Sequence, residues 1–510
     1  MPAQTFPISQ FQGLNERLVL GSSLQQTTSL DNVLIRNGTV KGRKGIALWD
    51  GISTAASTSI IIGLTEFYAP ASATSSLIRM QTTKLEKWNS GTHAWDDITG
   101  TALTGTTSTR PCFATMSDEG FLVFTNEGHD QPRKYTGSGN SATLGGTPPY
   151  CKWLEPYAGF LFLFNTSVDG TFSLAPDPVT SYFSDVPDTD WALCEGNSIV
   201  YDDTEGEIRA AMSIADNLVV FKSDAVITTR FVGGITRFNK RRLPFSQGIL
   251  APLSLQRLGE FGLIWLATDY NLYVTDGQTI RPLPLAVQKS LRETMAASVA
   301  ANVSGYVDLT NETYHLLYQR NGSTYYDGRL SYNYRTGEFT RGAYTGWEFT
   351  RALGYRQSNN VNSQLVVAAS DKKVYEQESG TDDAATAVSR YIDIDWNQYG
   401  TPGSKWLTGG NFLFTRSTNT QVRISVATDH SHIFQYQRMY SLKGKFPSDA
   451  FARVKYELPS PVYGNWFKIR IEFFHYGSTN VVELLEAEPI IIPVSQVPQD
   501  QSRQSQAQRA

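Results

Sequence analysis

The sequence predicts an all-β protein: a β-propeller of six or seven blades, then a C-terminal β-sandwich-like lobe, with one inserted helix. Three observations carry this. First, a short pattern of apolar strand, tight turn and second apolar run occurs twice within residues 208–283. One copy spans 208–231 and turns at Lys222-Ser223-Asp224. The other spans 262–283 and turns at Thr275-Asp276-Gly277. Asp-Gly is a strong hairpin signal because glycine adopts the positive φ that such turns need. Second, units of this kind, roughly 35–45 residues long, recur through most of the chain, as blades of a propeller do. Third, aromatics reach 12%, with 25 Tyr, 26 Phe and 41 Gly, while only 18% of the residues are charged. Strand faces and turns favour that composition.

Residues 1–57 read as an extended, irregular N-terminal arm. Within it, Asn37-Gly38 marks a two-residue hairpin, and Lys41, Arg43 and Lys44 form a short basic run. The propeller is expected over 58–378. Its first blade falls in 58–99 and ends near Trp95. The next units are 111–135 and 151–193, the latter ending at Asp190-Trp191. Units at 198–245 and 248–283 follow, with Lys240-Arg241-Arg242 between them. Leu283, Val287, Leu291 and Met295 recur at spacing four, so 284–303 reads as an amphipathic helix. Strands resume over 304–342 and 351–377. A polar linker around Ser379-Gly380 separates this region from 388–494. There, clean alternation such as Lys468-Ile469-Arg470-Ile471-Glu472-Phe473 predicts half-buried antiparallel strands. Residues 495–510 lack apolar content and read as a mobile tail.

The 510-residue chain holds 44 Lys+Arg against 48 Asp+Glu, a net charge of −4. Bulk charge therefore gives no nucleic-acid signal, although a local patch stays possible. The start of the chain lacks a basic segment followed by an apolar run, so no secretory leader is expected. No apolar window is long enough for a membrane span. The three cysteines, Cys112, Cys151 and Cys194, match no metal motif. They read as half-buried thiols of a reducing compartment, with one disulfide left open and equivalent blade positions as a further possibility.

Residue patterns for chemistry are sparse. His430-Ser431-His432 places two rings on one side of a strand, but no third metal ligand has a convincing place, so surface histidines on a loop are expected. Asp96-Asp97, Asp202-Asp203 and Asp382-Asp383 are turn neighbours, not carboxylates facing each other across a cleft. There is no serine elbow, phosphate loop, HExxH or repeated calcium loop. The repeated boxes of sialidase-type propellers are absent too; Ser117-Asp118-Glu119-Gly120 is a partial echo. The expectation is a non-enzymatic protein without cofactor or metal.

Against this background the N-terminal stretch gains meaning. Gly13-Leu14-Asn15, Leu30-Asp31-Asn32-Val33 and the run from Gly38 to Gly45 resemble the opening of tail proteins of tailed phages. Ala215 to Phe221 and Val226 to Phe231 resemble a strand pair of the same proteins, although its Trp, Gly and Glu are missing here. Leu330, Tyr332, Asn333, Gly337 and Phe339 keep the order. The chain thus resembles the packaged-DNA stabilisation or tail-hub (nozzle-type) family of short-tailed phages. The resemblance implies a homo-hexameric ring in the virion, assembled in the host cytoplasm. The ring would lie below the portal and the head-to-tail adaptor. It would help retain packaged DNA, pass double-stranded DNA without reading its sequence, and dock other tail parts. Catalytic residues are not part of the family pattern. The basic runs Lys41, Arg43, Lys44 and Lys240, Arg241, Arg242 are the candidate assembly or DNA-facing patches. A carbohydrate-binding or glycoside-hydrolysing propeller, with a central pocket of convergent Arg and carboxylates, and a trimeric tail fibre or baseplate component remain open.

Overall fold

A computed structural model describes residues 3–18, 23–49, 56–69, 74–173, 176–191, 197–234, 237–244, 247–355, 364–384, 386–399, 403–431, 433–443, 450–475 and 482–493. Contacts divide the chain into two units. One comprises Lys44–Gly337 and Ala343–Ala387; the other comprises Met1–Arg43, Glu338–Gly342 and Val388–Ala510.

The first unit is a seven-bladed propeller. Each blade is an antiparallel sheet whose first strand is innermost. The innermost strands are Ile61–Ala69, Cys112–Met116, Tyr150–Tyr157, Ile208–Ile214, Gln256–Arg257, Ser304–Asp308 and Phe349–Tyr355. They neighbour one another around the ring, and Phe349–Tyr355 returns to Ile61–Ala69. Between blades 4 and 5, Arg257 donates to the Ser213 carbonyl, and Phe221 packs on Trp265 at 5.0 Å. The stretch that announced the fold, 208–283, supplies two consecutive blades, Ile208–Ile214 to Phe238–Arg242 and Gln256–Arg257 to Ile280–Pro282.

Local chemistry explains the hairpins. Ala158 (φ 52°) and Gly159 (φ 82°) form a two-residue turn that feeds Phe160–Ser167, a strand buried along its whole length. At the Asp276-Gly277 turn, the Asp276 carboxylate accepts backbone N–H groups of Gln278 (2.8 Å) and Thr279 (2.7 Å). Gly277 takes φ 88°, as the turn chemistry requires. Innermost strands come very close at Gly354, where a Cβ would lie 2.1 Å from the Val307 carbonyl oxygen.

Sheet faces of neighbouring blades pack on each other, so the core is a set of wedges between blades. One of them runs through blades 2 to 5 and includes Trp153, Phe162, Phe164, Phe221 and Trp265. The ring is closed by a strand from the other end of the chain. Ile46–Leu48 is the outer strand of blade 7 and pairs antiparallel with Val374–Gln377 through Leu48 and Tyr375, Ala47 and Glu376, and Ile46 and Gln377. Trp49 then packs with Ile61, Leu77 and Tyr355 between blades 7 and 1. Closure of this kind spares a sheet its open edge.

The second unit is a β-sandwich. One sheet has the order Phe451–Gly464, Lys405–Thr415, Glu483–Pro493, Thr39–Gly42, Val33–Arg36, with Gln4–Thr5 also paired to Glu483–Pro493. The other runs Gln435–Ser441, Thr420–Thr428, Phe467–His475, Tyr391–Asn397, Leu30–Asp31. Alternation in the sequence becomes alternation in burial: Ile469, Ile471 and Phe473 are buried, while Lys468, Arg470 and Glu472 are partly exposed. Phe473 meets Phe414 edge-on at 6.3 Å.

Two expectations need correction. Residues 1–57 are not an irregular arm: up to Arg43 they supply strands to the sandwich, and 46–48 close the propeller. Such pairing joins residues more than 300 positions apart, which local pattern does not encode. The helix of 284–303 shrinks to Gln288–Thr294, followed by a 3-10 segment Ala297–Asn302. Leu283, Val287, Leu291 and Met295 are all buried as their spacing predicted. Met295, however, is extended and bridges to Arg320, so the backbone leaves the helix there. The expected tail, 495–510, lies outside the described residues.

Candidate functional site

The two basic runs are accounted for largely by internal partners. Lys41 pairs with Glu483 at 2.9 Å inside the sandwich. Arg43 is only 1% exposed and donates through Nε to the Asn32 side-chain oxygen at 2.7 Å; its carbonyl accepts from Arg390 at 2.7 Å. Arg43 is therefore a buried structural residue, a correction to its reading as part of a surface patch. It follows directly on the strand Thr39–Gly42, out of step with buried Val40 and Gly42, so its burial is carried by its side-chain partner Asn32 and not by strand alternation. Lys44 is half-buried, and its backbone N–H donates to Glu378 at 2.9 Å. Lys240, Arg241 and Arg242 lie on the outermost strand of blade 4, Phe238–Arg242. Lys240 is neutralised by Asp202 (2.8 Å) and Asp203 (3.1 Å). Arg241 reaches the Gln278 carbonyl at 3.3 Å, and both Arg241 and Arg242 are exposed. Lys41 and Arg43 belong to the sandwich unit, and Lys44 and Lys240–Arg242 to the propeller unit.

The aspartate pairs serve turns and ion pairs. Asp97 holds Lys84 at 2.9 Å, and Asp383 is buried in a turn with Thr386. His430 sits between Trp396 (5.0 Å) and Trp466 (5.2 Å); its expected companion His432 lies outside the described residues. No cluster of three metal-ligating side chains occurs among the described residues. Cys112 and Cys151 are free buried thiols near the starts of the innermost strands of blades 2 and 3, and Cys194 lies outside the described residues. Burial pushes the Cys151 thiol up to about 12, so it is unreactive near neutrality.

The site that the sequence left unmarked is the bore of the propeller. Its cavity, about 610 Å³, is lined by the inner strands of all seven blades. Most of the wall is apolar, with Trp153, Met212, Leu255 and Leu353 among its residues. The Trp153 indole is fixed by a 2.8 Å bond to the Ala211 carbonyl. Into this wall the fold sets one linked polar group. Glu155 Oε1 accepts from Ser213 N–H and Ser213 Oγ, both at 2.8 Å. Arg257 Nη2 donates to the Ser213 carbonyl and also meets Ser213 Oγ at 3.2 Å. Burial raises the Glu155 carboxyl to about 7, against the opposing pull of the Ser213 bonds and the Arg257 charge. Elsewhere in the wall, Arg351 is 8% exposed. It spends Nη1 on Tyr326 and Thr350, and Nη2 on Thr109 at 2.9 Å. Its Nε has no partner.

One acid inside the apolar strand Trp153-Leu154-Glu155-Pro156 was the available signal. It becomes meaningful only once innermost strands are known. Among the described residues of the wall, Glu155 is the sole carboxylate. The paired acids of glycoside hydrolysis are therefore not brought together in that wall.

No protein-family profile and no curated sequence matches this chain. Among solved structures, it is similar to the extracellular domain of BT4673 from B. thetaiotaomicron (11% identity, TM-score 0.40), covering 75% of this chain and 45% of that one. PorZ, a bacterial surface component of the type-IX secretion system of Porphyromonas gingivalis, matches at 9% identity and TM-score 0.37, over 79% of this chain and 46% of that one. BBS1N, solved in complex with ARL6DN, matches at 10% identity and TM-score 0.40, over 67% and 99%. The chain thus spans less than half the length of the first two.

Proposed function

We propose that this chain is a structural virion protein, a ring-forming tail hub or nozzle component of a short-tailed phage. In this reading six copies form a ring below the portal and adaptor, and the ring helps retain packaged DNA. It offers the DNA an exit channel, docks further tail parts and carries out no catalysis. Beyond the N-terminal resemblance, the observation that carries the reading is connectivity. The backbone passes between the two units four times, at 43/44, 337/338, 342/343 and 387/388. Each unit is also completed by strands from opposite ends of its sequence. A part threaded in this way loads several covalent links at once when pulled, which suits a role in transmitting force.

Charge pairing supports the same reading. Phosphate affinity comes from clustered, available Lys and Arg. Here Lys41 and Lys240 already face carboxylates. A conduit built of such surfaces would let DNA slide instead of gripping it. Exposed Arg241 and Arg242 are then assigned to a contact between subunits. Mass photometry and electron microscopy of the purified protein test this: hexameric rings are expected, whereas a strict monomer or a trimer at micromolar concentration would overturn it.

A further inference from the structure

We propose that the outer face of the sandwich sheet formed by Phe451–Gly464, Lys405–Thr415 and Glu483–Pro493 binds the same face of a second copy of this chain, about a two-fold axis parallel to its strands. Register builds the face. Arg453, Leu413 and Glu486 are direct neighbours across the three strands; so are Lys455, Asn411 and Glu488, and so are Tyr463, Trp406 and Ile492. Residues paired in this way lie on one side of a sheet. Arg453, Lys455, Tyr463 and Trp406 are exposed and the others half-buried, so that side is the outer one. Phe451–Gly464 thus carries a basic column and Glu483–Pro493 an acidic one, with Lys405–Thr415 between them.

This charge pattern selects both the occupant and the axis. A half-turn about an axis along the middle strand lays the basic column of one copy over the acidic column of the other and keeps each row level with itself. Arg453 then meets Glu486 of the second copy, twice by symmetry, as an isologous contact requires. An axis across the strands would instead set basic against basic. The Lys455 row is partly satisfied already: Lys455 holds Glu457 at 2.6 Å, and Asn411 donates to Glu488 at 2.9 Å. Arg453 and Glu486 have no ion-pair partner among the described residues, and Leu413 keeps them apart on their own face. Packed sheets lie about 10 Å apart, a gap that one Arg and one Glu side chain span together. The third row adds apolar area. Trp406 and Tyr463 are 38% and 53% exposed, with ring centroids 4.9 Å apart, and exposed aromatics of this kind anchor protein interfaces.

The contact is separate from the ring contact assigned to the outer strand of blade 4, and it doubles whatever particle that contact yields. It is tested on the full-length protein by sedimentation velocity over a dilution series from micromolar concentration. Arg453→Glu and Glu486→Arg each set like charges together at both symmetry-related contacts. Each should weaken pairing by about 100-fold, roughly tenfold per contact, and so halve the particle mass. An equal mixture of the two variants should regain the wild-type mass, because both contacts of a mixed pair are again opposite in sign. The double variant should regain it too. Regained mass also shows that both variants are folded, and an unchanged melting temperature checks this for each alone. A wild-type particle that does not pair, a reversal that leaves the mass unchanged, or a mixture that stays at half mass would each overturn the proposal.

Discussion

Arg329 and Glu378 meet at 2.8 Å, and the other oxygen of the same carboxylate accepts the backbone N–H of Lys44 at 2.9 Å. One side chain thereby ties blade 6 to the residue that leads into the closing strand Ile46–Leu48. Arg329 is 2% exposed, and its guanidinium is held in the charged form partly by Glu378. Glu378→Ala leaves that cation buried and unpaired, at a cost of about 3–5 kcal/mol. Hydrogen exchange of the amides in 46–48 and 374–377 should accelerate first. Unchanged protection there would show that closure does not depend on the clamp.

Two groups should give the protein opposing pH responses. Glu155 has a folded-state value raised to about 7 from 4.5. The native state therefore binds more protons than the unfolded one between these values. The contribution is fully present below about pH 4.5 and is lost as pH rises through 7, by at most about 3 kcal/mol. His475 is lowered to about 4 from 6.5, first by burial and then by Arg390. Its contribution is present above pH 6.5 and is lost as pH falls through 4. Glu155→Gln should remove the decline toward neutrality and leave the acid-side loss, as followed by denaturant unfolding across pH 4–8. A variant with the wild-type profile would contradict the Glu155 assignment.

The outer strand of blade 4 separates assembly from folding. Arg241 and Arg242 are exposed and lie away from the core. Arg241→Glu with Arg242→Glu should leave the unfolding midpoint within about 0.5 kcal/mol while abolishing rings in mass photometry. Intact rings would remove these residues from the subunit contact. Lys240→Glu is a different case. It would set a third carboxylate against Asp202 and Asp203, so it should lower stability as well.

Arg43 should behave in the opposite way. Its guanidinium holds Asn32, and its carbonyl receives Arg390. Arg43→Ala should lower stability by about 2 kcal/mol or more, measured by chemical denaturation, with the loss centred on the sandwich strands. A stable variant with weakened assembly would restore the surface reading of this residue.

What the sequence made legible was local. Asn37-Gly38 forms its turn with φ 48° and 77°. Asp276-Gly277 turns as expected, and the four apolar residues at spacing four are buried. Less legible features depended on partners remote in sequence. Val374-Tyr375 reads as a strand, but 46–48 falls in what reads as an irregular arm, and nothing local shows that the two pair. Likewise, Glu155, Ser213 and Arg257 sit about 50–100 positions apart on three blades, so no motif spacing links them. Arg43 misled because a cation at a basic surface and a cation under a strand look alike in one dimension.

The ladder between Gln4–Thr5 and Glu483–Pro493 has a consequence for biogenesis. Gln4–Thr5 finds its neighbour only once 483–493 has been made, and 46–48 only once 374–377 has been made. A nascent chain halted before residue 374 lacks the partner of 46–48, and one halted before residue 483 lacks the partner of 4–5. Non-local pairing of this kind slows folding.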